Sequence, residues 1–98
     1  MGIINSLKRI YNGKYEVTDT LRFSNEELAA IEKVQIVESK EYGGNSCCLF
    51  LKGGRKGYIA MSQFDSTPVG TVVDPKQVQV LVLSREGDDD IMRAEIVE

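Results

Sequence analysis

The chain has no histidine and no tryptophan, and only two cysteines and two prolines among its 98 residues. Without histidine it lacks the commonest general base and the most frequent protein metal ligand. Cys47 and Cys48 are adjacent, which provides neither the ligand spacing of a structural zinc site nor the geometry of an ordinary disulfide. These absences disfavour hydrolases, metal sites and disulfide-stabilised folds. We therefore expect a protein that is not an enzyme and uses no metal or other cofactor.

Long apolar runs are also missing. No segment approaches the roughly 18 to 20 apolar residues needed to span a bilayer, and the N-terminus lacks the pattern of a secretory signal. We expect a cytoplasmic protein without a membrane partner. Its length and 42% apolar content suit one domain with one core over residues 1–98. Because the net charge is −3, nucleic acid would have to be bound through a local basic surface.

Two short helices are predicted before the main run of strands. Apolar side chains in residues 1–13 recur at helical spacing, which indicates an amphipathic N-terminal helix that packs on the domain or on a second subunit. In residues 24–33, Ser24 can cap the first turn, and Glu27 occupies the reciprocal position of a capping box. This second helix has an apolar stripe that suits packing on a sheet.

Residues 34–97 change to an apolar period of two, interrupted by turn residues. Five strands are predicted there. Two of them, at residues 46–51 and 78–83, are apolar on both faces, which is typical of a closed or sandwiched sheet. The predicted fold class is therefore mostly β (α+β): a small five-stranded OB-like or SH3-like barrel preceded by one or two short helices.

One glycine-rich turn combines cations with aromatic neighbours, and a tyrosine on the adjacent hairpin extends the same pattern. Single-stranded nucleic acid binders use this combination, because cations follow the phosphates while an aromatic face stacks on a base. A solvated hairpin tip, with glycines for the turn and lysines for solubility, fits the same residues. The candidate nucleic-acid-binding residues are Tyr42, Phe50, Lys52, Arg55, Lys56 and Tyr58.

The order of strands and turns from residue 34 to residue 96 carries a resemblance. A Tyr42-Gly43-Gly44 turn, an apolar strand, a basic Gly53-Gly54 turn, a Tyr58-Ile59 strand and a Val78–Ser84 strand follow one another. This layout resembles that of small OB-fold-like single-stranded DNA-binding proteins of phages and mobile elements. Two features depart from it: the capped helix precedes all five strands, and the overall charge is acidic.

If the resemblance holds, it implies a groove across the second and third predicted strands, lined by basic and aromatic side chains. It also implies an acidic C-terminal half that recruits other replication proteins. The first hypothesis is therefore a non-enzymatic module that binds single-stranded nucleic acid. The alternative is a protein-interaction module, such as a phage-type or accessory inhibitor or adaptor. Such a module would hold a partner, or a second copy of itself, through the N-terminal helix or a strand edge.

Overall fold

The computed structural model describes residues 9–39 and 44–98, and it is mostly β, as predicted. A short 3-10 turn at Pro75–Gln77 precedes the seventh strand. The strands and the helix, in chain order, are β1 (Ile10–Tyr11), β2 (Tyr15–Arg22), α1 (Asn25–Ala30), β3 (Ile31–Ser39), β4 (Gly44–Leu51), β5 (Lys56–Ala60), β6 (Val72–Val73), β7 (Val78–Ser84) and β8 (Ile91–Ile96).

The strands form two antiparallel sheets of four strands each, in the orders β1-β2-β7-β8 and β5-β4-β3-β6. The sheets meet at one side, where Met61 forms a single parallel bridge with Ala94 and the Ser62 N–H donates to the Ala94 carbonyl at 2.7 Å. The predicted five-stranded barrel is not confirmed. Eight strands are present in the described ranges, and no ladder there closes them into one ring.

The main core contains side chains from both sheets, and alternate residues of each strand contribute to it because side chains alternate along a strand. Its buried residues are Val34, Ile36, Cys47, Val73, Val78, Val80 and Ala94. On the opposite face of β7, Leu81 and Leu83 are buried with Tyr11 in a second, smaller cluster. Strand β7 is therefore covered on both faces, which explains its nearly continuous apolar sequence.

Helix α1 begins where the capping signal predicted and ends early. The Ser24 hydroxyl accepts a hydrogen bond from the Glu27 N–H at 3.1 Å, and the Glu27 carboxylate accepts one from the Ser24 N–H at 2.8 Å. The helix ends at Ala30 rather than at residue 33. Ile31 is already extended, with φ −97° and ψ 123°, because it pairs with Leu51 in the β3–β4 ladder.

The helix predicted over residues 1–13 lies mostly outside the described residues. Its described end is not helical. Ile10 and Tyr11 form β1, and Asn12 and Gly13 then turn the chain with positive φ angles of 54° and 68°. The strand is favoured there because pairing with β2 places Tyr11 in the second cluster, where only 5% of the residue is exposed. That burial depends on contacts far away in sequence.

An ion pair holds the start of β1 against β8. The Arg9 guanidinium donates to both carboxylate oxygens of Glu95, at 3.0 and 2.8 Å, and the Gln79 amide donates to the same carboxylate at 3.0 Å. Arg9 also lies over the ring of Phe64, 4.6 Å from its centroid. The hydrogen bonds from Arg9 hold the pKa of Glu95 below its ordinary value, although burial acts in the opposite direction.

Candidate nucleic-acid interface

The face of the β3–β4–β5 sheet that points away from the main core brings three of the predicted residues together. Phe50 on β4 is paired with Lys33 on β3 and with Lys56 on β5. Two residues along, Cys48 is paired with Tyr58. Because paired residues of neighbouring strands share a face, Phe50, Lys56 and Tyr58 lie on the same side of the sheet.

We call this side the outer face. By the register of the three strands, its side chains are those of Lys33, Gln35, Val37, Ser39, Ser46, Cys48, Phe50, Lys56, Tyr58 and Ala60. These ten side chains include two lysines and no acid, and the exposed Glu32 lies in the bulge next to Lys33, where the register gives it no paired residue. Ser46 and Cys48 at its centre are buried, whereas the aromatic and basic residues stand around them. The register-paired positions of the outer face thus carry a net positive charge although the chain as a whole is acidic.

A row of three residues crosses the strands of the outer face. The Lys33 ammonium lies 4.5 Å from the centroid of the Phe50 ring, and the Lys56 ammonium lies 5.2 Å from the same centroid. Both distances are within the roughly 6 Å reach of a cation–π interaction. The sequence pattern named Phe50 and Lys56 but missed Lys33. Its place opposite Phe50 depends on the β3–β4 register, which shifts between Ile31 and Lys33.

Tyr58 is the most exposed aromatic side chain of the outer face, with 58% of the residue accessible. It lies on β5, which is an edge strand of its sheet. The strand fixes its backbone, while the ring remains open to solvent. Such a ring offers a flat surface on which an unpaired base can stack.

The turn between β4 and β5 adds two exposed cations, Lys52 and Arg55. Gly53 and Gly54 between them have positive φ angles of 87° and 83°, a conformation that residues with side chains rarely adopt. The Leu51 N–H donates to the Arg55 carbonyl at 2.8 Å and closes the turn. The two glycines are therefore required by the backbone, whatever the function of the cations beside them.

Tyr42, the remaining predicted site residue, lies outside the described residues, so the extension of the surface onto the β3–β4 hairpin stays a prediction. Among the residues that the structure describes, no group of three or more His, Cys, Asp or Glu side chains is placed to hold a metal ion. In the same part of the chain, no helix has the length and apolar character needed to cross a membrane.

The two adjacent cysteines are free thiols, and both are buried. Cys47 points into the main core and Cys48 lies on the outer face. Burial raises the pKa of the Cys47 thiol to about 12, and the neighbouring Cys48 and Asp65 add to the shift. Because the thiolate is the nucleophilic form, we expect Cys47 to react slowly at neutral pH.

A separate, mostly apolar cleft is lined by residues of both sheets and of the segment that contains α1. The Leu21 and Met92 residues at this cleft are 41% and 52% exposed. The cavity has a volume of about 450 Å³ and is lined by Leu21, Arg22, Phe23, Glu27, Ile59, Val80 and Met92. Five of these seven residues are apolar, and Arg22 and Glu27 supply one charge of each sign, which distinguishes the cleft from the outer face.

Fold and geometry together define a small two-sheet β protein that carries a basic and aromatic face on one sheet and an apolar cleft between the sheets. Comparisons with protein-family models, with curated proteins and with solved structures found no match. Its function is therefore inferred from the arrangement of its own residues.

Proposed function

We propose that the chain binds single-stranded nucleic acid on the outer face. The observation that carries this proposal is the row of Lys33, Phe50 and Lys56 beside the exposed Tyr58, on a face whose register-paired positions hold no acidic side chain. The ammonium groups would contact phosphates, and the tyrosine ring would stack on an unpaired base. Duplex DNA keeps its bases stacked inside the helix, so a stacking residue of this kind favours single strands.

Because the net charge of the chain is −3, its affinity for nucleic acid should depend on a few local contacts between cationic side chains and phosphates. If Lys33, Lys52, Arg55 and Lys56 each neutralise one phosphate, the logarithm of the binding constant should fall with the logarithm of salt concentration with a slope of about −3. That slope corresponds to a loss of affinity on the order of 50-fold between about 50 and 200 mM salt. Binding should therefore be tightest at low ionic strength.

The proposal includes an OB-like arrangement of the strands and a role for the acidic C-terminal half. Strands β3, β4 and β5 are consecutive and antiparallel. This meander supports the proposed likeness to the small OB-fold-like single-stranded DNA-binding proteins of phages and mobile elements. Residues 63–98 hold three Lys or Arg against eight Asp or Glu. An acidic half of this kind suits recruitment of basic partner proteins.

Fluorescence anisotropy with a labelled oligothymidine of about 20 nucleotides tests the proposal. The double variant Lys33→Glu with Lys56→Glu should lose binding. The matched variant Lys14→Glu with Lys76→Glu changes the net charge equally at exposed positions outside the outer face, and it should keep most of the affinity. No binding by the unmodified chain at about 20 mM salt would contradict the proposal, because phosphate contacts are strongest at low salt.

The apolar cleft favours the second candidate, a protein-interaction module. β5 and β8, each an edge strand of its sheet, contribute Ile59 and the exposed Met92 to the lining of the cleft, beside the exposed Leu21. A second copy of the chain, or an extended segment of another protein, would add a strand at such an edge. Sedimentation equilibrium tests self-association: a concentration-dependent dimer that Met92→Glu abolishes would support this function. A monomer at all concentrations would remove self-association from consideration.

A further inference from the structure

We infer that the two aromatic residues of the outer face have different roles, and this inference rests on the proposed function. Phe50 is a positioning residue that holds Lys33 and Lys56 for phosphate contacts and does not stack on a base. Tyr58 is the residue that stacks on a base. The sequence pattern treated the two rings as equivalent, and their surroundings in the structure separate them.

The ring of Phe50 is already engaged. It is partly buried between two lysines, whose ammonium groups lie 4.5 and 5.2 Å from its centroid. Cations are attracted to the electron-rich face of a ring, which is also the surface that a stacking base requires. A base could stack on Phe50 only if at least one lysine moved away. That movement would separate a phosphate-binding cation from the sheet.

The ring of Tyr58 is in the opposite situation. Within the described ranges, the cations that lie over aromatic rings contact Phe50, Phe64 and Tyr11, and none contacts Tyr58. Its 58% exposure leaves the ring open. Lys56 and Tyr58 are two residues apart on β5, a separation of about 7 Å along a strand. A phosphate at Lys56 and a base at Tyr58 are thus within reach of one short stretch of nucleic acid.

Positioning by Phe50 has an energetic reason. A free lysine side chain loses much of its rotamer freedom when its ammonium group binds a fixed phosphate. Lys33 and Lys56 are already confined by contact with one ring, so part of that freedom is lost before the ligand arrives. Preorganisation of this kind raises affinity for the phosphate backbone without regard to the bases.

Two fluorescent probes of equal length and charge distinguish the roles: an oligothymidine, and an oligomer of abasic deoxyribose phosphates. Tyr58→Leu should weaken oligothymidine binding by about 5- to 150-fold, with abasic binding and the salt dependence unchanged. Phe50→Leu should weaken binding of both probes by the same factor. Phe50→Tyr, which keeps an aromatic ring, should restore the affinity that Phe50→Leu loses.

Nuclear magnetic resonance of the free protein supplies a second measurement. The side-chain Hε signals of Lys33 and Lys56 should be shifted upfield by the Phe50 ring, keep that shift in Phe50→Tyr and lose it in Phe50→Leu. Unfolding midpoints show whether each variant is folded.

The possible failures are distinguishable. If the unmodified chain binds neither probe, the proposed function fails and this inference fails with it. If the unmodified chain binds both probes, and Phe50→Leu weakens only oligothymidine binding, the proposed function stands and the inference is overturned. Unshifted lysine signals in the unmodified chain would also overturn the positioning role, whatever the oligomers show.

Discussion

The ion pair between Arg9 and Glu95 provides a quantitative test of how β1 is held to the rest of the domain. Arg9→Ala removes two hydrogen bonds to a carboxylate whose side chain is only 11% exposed, and it leaves Gln79 as the remaining donor. Hydrogen bonds to charged groups contribute about 1.5 to 3 kcal/mol to stability. The lower part of that range applies here, because the Arg9 side chain is 43% exposed.

Loss of the contact between Arg9 and the Phe64 ring adds about 0.5 to 1 kcal/mol. The expected destabilisation at pH 7 is therefore about 2 to 3 kcal/mol, and for a domain of this size the melting temperature should fall by on the order of 10 °C. Urea unfolding followed by circular dichroism measures the free energy directly. Arg85→Ala is the matched control, because its contact with Asp88 spans 3.7 Å and both side chains are about half exposed.

The pH dependence has a definite sign. Because the pKa of Glu95 is depressed in the folded state, the stabilisation from Arg9 is fully present above the ordinary carboxyl value of 4.5. It disappears as the pH falls through the lower folded-state pKa. The difference between the unmodified chain and Arg9→Ala should therefore shrink in acid. The contact between Arg9 and the Phe64 ring does not titrate, so a residual difference of about 0.5 to 1 kcal/mol should remain in acid. Two results would refute the reasoning: a difference at about pH 2 as large as that at pH 7, or an Arg9→Ala variant no less stable than Arg85→Ala.

Three further predictions concern single side chains. Ser24→Ala removes the hydroxyl that accepts from the Glu27 N–H at the start of α1 and should lower the unfolding free energy by about 1 kcal/mol in urea. Within the described residues the buried Ser46 hydroxyl has no hydrogen-bond partner. Ser46→Ala should therefore raise the free energy of unfolding in urea by about 1 kcal/mol, and a lower value would contradict this. Cys47 should resist a thiol reagent at pH 8 until urea unfolds the chain. Rapid labelling of Cys47 in the folded protein would contradict the burial of this thiol.

Local interactions made part of this protein predictable from its sequence. The start of α1 is specified by Ser24 and Glu27, which are three residues apart and satisfy each other's backbone groups. The strand segments from β3 onward follow from alternating apolar residues and from turns that need glycine. The sequence predicts that Phe50, Lys56 and Tyr58 lie on one surface because they belong to two strands joined by a short turn, so their proximity depends on little beyond that hairpin.

Contacts between distant segments decided the rest. Residues 31–33 favour strand over helix because β4 is available to pair with them, and Tyr11 lies in a strand because Leu81 and Leu83 form a cluster for its ring. Lys33 joins the outer face only through a register that contains a bulge. Long-range strand pairing also determines that the strands form two sheets joined by one bridge, instead of the closed five-stranded barrel that the sequence predicts. Hydrogen bonds and apolar contacts between residues far apart in sequence determine these features, so local sequence patterns cannot predict them.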